Sequence, residues 1–139
     1  MRVKHYCLDT NILIYSIDNQ AGSRHQTAIA LMQVMMTSNC VLTLQSLGEF
    51  FHATTRIGKM PKQHAMAQIN DWMTLFPVIN AIPTTLNMAM HAVDEHQLSF
   101  WDAMILETAV QAGVTHLYSE DMQHKQTWKN MTIENPFVQ

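Results

Sequence analysis

Three carboxylates in the sequence follow apolar runs with the length and composition of a buried strand, and a fourth opens a helical stretch after a loop. Asp9 closes the first run in "YCLDTNILIYS", and Glu49 comes one helical turn after "CVLTLQ". Asp102 opens a helical stretch after "QLSF", and Asp121 lies three residues beyond Tyr118. An ionised Asp taken out of water without a partner is costly or neutralises, so such positions call for a helix cap, a cation or a catalytic duty. Capping accounts for each acid singly. "SLGE" (46–49) and "SFWD" (99–102) have the Ser-x-x-acid spacing of a capping box, Asp9 and Asn11 could cap the helix "NILIYSI", and Asp121 could form an Asx-turn. As a set, however, the acids would project from one sheet edge, where their like charges repel and a cation is the natural relief. Oxygen-only donors select a hard ion, Mg²⁺ or Mn²⁺. Zinc is a poor match, because His91 and His96 are five apart and no H-E-x-x-H or Cys/His cluster occurs.

That convergence requires a particular architecture. Strand-like runs at 3–8, 41–44, 78–82, 116–118 and, more weakly, 131–133 alternate with helical stretches. Ala28, Leu31, Met32 and Met35 repeat at helical spacing, as do Leu86, Ala89, Met90 and Val93. Pro61 suits the first turn of a helix carrying Met66, Ile69 and Met73, Pro77 stops that helix, and Gly113 suits a C-terminal cap. The alternation predicts an α/β fold with right-handed crossovers and a mostly parallel central sheet flanked by helices. In such sheets, chemistry collects outside the carboxyl ends of the strands, where all four acids would lie.

The stretches "CLDTNILIY", "LQSLGEFF", "LSFWDAMILETA" and "HLYSEDMQ", in this order and spacing, resemble the acidic motifs of PIN-domain ribonucleases, most closely the VapC toxins of toxin–antitoxin pairs. The resemblance runs over nearly the whole chain and implies a single PIN-like nuclease domain over 1–139. It implies that Asp9, Glu49, Asp102 and Asp121 are catalytic, metal-binding carboxylates, with Thr10, Asn11 and Ser119 as polar supports. It further implies Mg²⁺- or Mn²⁺-dependent hydrolysis of RNA to 5′-phosphate and 3′-hydroxyl ends, a homodimer, and an antitoxin whose basic side chain could block the acidic pocket. One departure stands out. Members of the family commonly place an early Gly after the last motif, whereas this chain reads His124-Lys125.

The bulk composition is consistent with an enzyme rather than a passive nucleic-acid binder. Eight Lys+Arg against eleven Asp+Glu give a net charge of −3, so RNA contacts would have to come from a local patch. Arg56, Lys59 and Lys62 in "RIGKMPK" form the densest cluster, with a solvated helix end as the plainer account. Phe100 and Trp101 could stack on a base but more often anchor a core. The twelve methionines suit adaptable core filler, and Cys7 and Cys40 suit small buried hydrophobes. Neither a signal-peptide pattern nor a membrane-length apolar run is present, which points to the cytoplasm. Three other functions fit less well: a solitary RNA-processing nuclease, a non-catalytic PIN-like scaffold for protein partners, which would be expected to have lost some of the acids, and a signalling receiver, which would need paired acids after the first strand.

Overall fold

The computed structural model describes residues 3–56 and 58–138, so the expected domain limits at 1 and 139 lie outside the described residues. Six strands form one sheet: β1 (Tyr6–Leu8), β2 (Cys40–Thr43), β3 (Val78–Ile79), β4 (His116–Tyr118), β5 (Thr127–Trp128) and β6 (Met131–Glu134). The helices are α1 (Thr10–Ile17), α2 (Ser23–Met35), α3 (Leu44–Thr55), α4 (Lys62–Leu75), α5 (Pro83–His96) and α6 (Phe100–Gln111). The strand order is β3-β2-β1-β4-β6-β5, all parallel except for the antiparallel β5–β6 hairpin. The chain therefore runs outward in one direction from β1 through β2 and in the other through β4. The β1–β4 boundary is the topological switch point, beside which open α/β sheets hold their ligands.

Two apolar layers cover the sheet, and strand alternation assigns residues to each. Cys7, Val41, Leu117 and Ile133 face α5 and α6, where Ala89, Ala92, Ala103, Leu106 and Ala109 pack. Leu8, Cys40 and Leu42 face the opposite layer, with Ile12, Leu13, Met32, Phe50 and Trp72 from α1 to α4. Both cysteines are buried, as expected of small apolar residues.

Several sequence expectations shift. The first strand begins at Tyr6 rather than residue 3, because the His5 N–H goes to the Thr115 hydroxyl (2.9 Å). The third ends at Ile79, where the Asn80 side chain accepts the Ala81 N–H (2.8 Å) and interrupts the ladder before Pro83 starts α5. Strand β5 lies outside the strands expected from sequence. Its two-residue turn places Lys129 at φ +55° without the Asn-Gly or Asp-Gly pair that usually signals such a hairpin. Buried Glu107 ties this hairpin to α6 by accepting bonds from Trp128 Nε1 and Lys129 Nζ, both at 2.9 Å. The helical stripes also rotate. Helix α4 buries Ala65 and Trp72, leaving Met66 and Met73 52% and 44% exposed, and α5 buries Thr85, Ala89 and Ala92, leaving Leu86 and Met90 outside. The core-filler reading of methionine thus holds for Met32, Met35 and Met131, but not for these.

Candidate active site

The four carboxylates line one open cavity of about 590 Å³. Asp9 follows β1 and is the N-cap of α1, so the short β1–α1 connection fixes it at the switch point. Its backbone N–H bonds to Tyr118 O (2.9 Å), which draws the ends of β1 and β4 together. Ser119, fully buried just past β4, donates its hydroxyl to Asp9 Oδ2 (2.8 Å), and the Thr10 N–H donates to Asp9 Oδ1 (2.7 Å). Two further bonds draw in the other acids. The Thr10 hydroxyl donates to Glu49 Oε1 (2.7 Å), and Asn11 Nδ2 donates to Asp121 Oδ1 (2.8 Å). Thr10, Asn11 and Ser119 thereby link three of the four acids into one network.

The capping alternatives divide. For "SLGE" the helix starts earlier than that spacing suggests: Thr43 is the cap of α3 and accepts the Ser46 N–H, so Glu49 sits beyond the first turn and has no capping duty. For "SFWD" the cap is real, with Ser99 accepting the Asp102 N–H (3.2 Å). The Asp102 carboxylate itself faces the cavity without a hydrogen-bond partner among the described residues, available to a ligand. The turn at Asp121 is made by Ser119 Oγ, which accepts the Asp121 N–H (3.2 Å).

Crowding shows in the electrostatics. Burial pushes the Asp9 carboxyl up to about 6 against the opposing bonds from Ser119 and Thr10, and the charges of Asp121 and Asp102 add to the rise. Asp121 is also raised, by burial first, then by Asp102 and Glu120, with the Asn11 bond opposing. Among the described residues, no three His, Cys, Asp or Glu side chains are already gathered closely enough to enclose an ion. Its four carboxylates instead offer dispersed oxygen donors, including the free Asp102 carboxylate. Such a set fits a hard ion held through one or two carboxylates, with water completing its shell.

The loop bearing Asp121 is braced from the side. Glu120 accepts bonds from Tyr15 OH (2.7 Å) and Arg24 Nε (2.5 Å), and the Arg24 guanidinium lies over the rings of Tyr15 and Phe137. In Arg24→Ala, amide exchange at 119–121 is expected to rise several-fold while β1 and β4 stay protected. Unchanged exchange at those amides would show that the loop is held without the Arg24–Glu120 pair, by the bonds of Ser119 and Asp121. Beyond the brace, His124-Lys125 stands where the family resemblance leads one to expect glycine. Lys125 adopts φ +66° there, donates its N–H to Ile133 O (2.8 Å) and pairs through Nζ with Glu134 (2.9 Å). Anchoring on both sides compensates a left-handed conformation that a side chain disfavours.

Of the expected basic cluster, only Arg56 lines the acidic cavity. Lys59 lies in the exposed loop after α3, and Lys62 opens α4. The cavity also holds residues that the sequence reading passed over, Gln45 and His52, whose signal was spacing: positions 45, 49, 52 and 56 share one face of α3. Trp101 lines the cavity and is 59% exposed, so it is not a core anchor.

A search of curated protein sequences finds no match. Solved structures do match. Mycobacterium tuberculosis VapC20, described as a sarcin–ricin loop cleaving toxin, superposes with a TM-score of 0.69 at 20% identity, covering 84% of this chain and 89% of its own. The DNA-bound VapBC of Salmonella typhimurium gives 0.70 at 15% identity, covering 96% and 98%, and the promoter-bound VapBC2 of Rickettsia felis gives 0.68 at 16%, covering 94% and 97%. At such identities these likenesses speak to the fold. The family follows from a sequence model: the PIN domain matches residues 6–129, a span that takes in all four carboxylates and every strand up to the β5 hairpin, and the chain belongs to the PIN-domain family.

Proposed function

We propose that this protein is a divalent-cation-dependent endoribonuclease and the toxin of a toxin–antitoxin pair. The observation that carries the reading is the linked set of Asp9, Glu49 and Asp121, with the free Asp102 opposite, opening on one cavity at the switch point. Asp9, Asp102, Asp121 and Glu49 would hold Mg²⁺ or Mn²⁺, which when bound supplies a more acidic water and neutralises charge developing on a phosphodiester. Thr10, Asn11 and Ser119 hold the acids in position, since each donates to a carboxylate oxygen. Water adds to phosphorus, the bond to O3′ breaks, and the products are a 5′-phosphate and a 3′-hydroxyl. Arg56, Lys59 and Lys62 provide cationic contacts for RNA on a chain of net charge −3.

The toxin assignment draws on the VapC20 and VapBC likenesses, and it brings an antitoxin that places a basic side chain in the acidic cavity. A homodimer is supported by exposed apolar side chains around the β3 edge and on α5, among them Val78, Ile82, Leu86 and Met90. No helix among the described residues is long and apolar enough to cross a membrane. The reading is tested by incubating the purified protein with RNA and Mg²⁺ or Mn²⁺. Fragments with 5′-phosphate ends that disappear on adding EDTA are expected, and RNA left intact with both ions overturns it. A small upstream reading frame for a DNA-binding antitoxin separates a toxin from a solitary processing nuclease.

A further inference from the structure

Helix α3 presents Gln45, Glu49, His52 and Arg56 to the acidic cavity, at i, i+4, i+7 and i+11. Among the described residues Arg56 is the one Lys or Arg in the cavity lining. Three cations elsewhere among the described residues are committed: Arg24 to Glu120, Lys125 to Glu134 and Lys129 to Glu107. Among the described residues Arg56 finds neither an ion pair nor a side-chain hydrogen bond, although four carboxylates share its cavity. Distance along the helix accounts for this, because seven residues at ~1.5 Å each set Arg56 roughly 10 Å beyond Glu49. Glu49 is meanwhile occupied by Thr10.

We infer that Arg56, with His52 one turn nearer the acids, binds a backbone phosphate adjacent to the scissile one and so lays the RNA strand along α3. This assignment rests on the ribonuclease reading above. A guanidinium is the side chain best shaped to grip a phosphate by two parallel hydrogen bonds, and an uncommitted one lies open to an incoming anion. Its location also has an electrostatic reason. The C-terminal end of a helix carries partial negative charge and repels phosphate, so a strand following α3 away from Glu49 needs a cation there. Arg56 is the C-cap residue of α3. Lys59 and Lys62, outside the cavity lining, can only add general attraction.

The test compares wild type, Arg56→Ala, Arg56→Lys and Lys59→Glu/Lys62→Glu on one oligoribonucleotide, each phosphate being replaced in turn by a neutral methylphosphonate. Arg56→Ala should raise KM about ten- to a hundredfold with little change in kcat, because the contact is made equally in ground and transition states. Arg56→Lys should recover part of the loss. Neutralising a single phosphate next to the cleavage site should cost wild type about as much as Arg56→Ala costs, and should cost Arg56→Ala nothing further. The lysine double variant should weaken binding and lower the salt slope while remaining sensitive to that phosphate. Equal sensitivity of wild type and Arg56→Ala at every position overturns the assignment and leaves the ribonuclease reading standing. A wild type that cleaves no RNA with either ion removes both.

Discussion

Asp9→Asn is expected to reduce divalent-dependent RNA cleavage on the order of a thousandfold or more, about 4 kcal/mol of barrier, while making the metal-free protein more stable at neutral pH. The two effects have one origin. Asp9 is 3% exposed and its carboxyl is raised to about 6, so the folded protein holds a proton that the unfolded chain has already released. Between about pH 4 and pH 6 stability therefore falls as pH rises, and above 6 the folded state carries the full penalty of a buried anion near Asp121 and Asp102. At ~1.4 kcal/mol per pH unit that penalty approaches about 3 kcal/mol, an upper figure for the gain from asparagine. The substituted amide can still accept the Thr10 N–H through its oxygen and can donate to Ser119 Oγ, so the packing survives. Asp102→Asn should lose cleavage to a similar degree with a smaller change in stability, since Asp102 is only partly buried. Melting curves at pH 4 and pH 7 beside cleavage assays on the same preparations decide the matter. Undiminished cleavage in Asp9→Asn would take Asp9 out of the chemistry.

Asp9 and Asp121 are readable in sequence for a topological reason. In a parallel sheet, whatever follows the carboxyl end of a strand lands on the same edge, so finding the strands also finds the edge. Asp9 and Asp121 are tied directly to the ends of β1 and β4, and those strands are bounded by clear changes from apolar to polar residues. What escapes the sequence depends on helix phase. Moving the cap of α3 from Ser46 to Thr43 turns Glu49 from a capping residue into one that accepts the Thr10 hydroxyl. The same phase brings Gln45, His52 and Arg56 into the cavity and leaves Lys59 and Lys62 outside. Phase also misplaces methionine: side chains one position away from Ala65 and Trp72 point about 100° off the buried line, which leaves Met66 and Met73 in solvent. Apolar spacing alone cannot choose between neighbouring stripes when both are rich in methionine.

Adding Mg²⁺ or Mn²⁺ should reverse the pH trend set by Asp9. Without the ion, stability declines between about pH 4 and 6. With it, the ion competes with the proton for the same carboxylate, so its stabilisation should be weak near pH 4 and reach full strength above about pH 6. At a free concentration a hundred times Kd, linkage gives ~2.7 kcal/mol, or roughly 5–10 °C in Tm for a chain of this size. In Asp9→Asn the increment should shrink and its dependence on pH should weaken, because the most strongly raised of the competing carboxylates is gone while Asp121, also raised, remains. The ion titration also separates the cavity from adventitious surface binding, since exposed carboxylates titrate near pH 4 and would stabilise both proteins alike through the same window. Equal Tm shifts in wild type and Asp9→Asn at pH 7 would place the ion elsewhere. A shift confined to wild type and growing from pH 4 to 6 would show that the buried carboxylate at the end of β1 is where ion and proton compete.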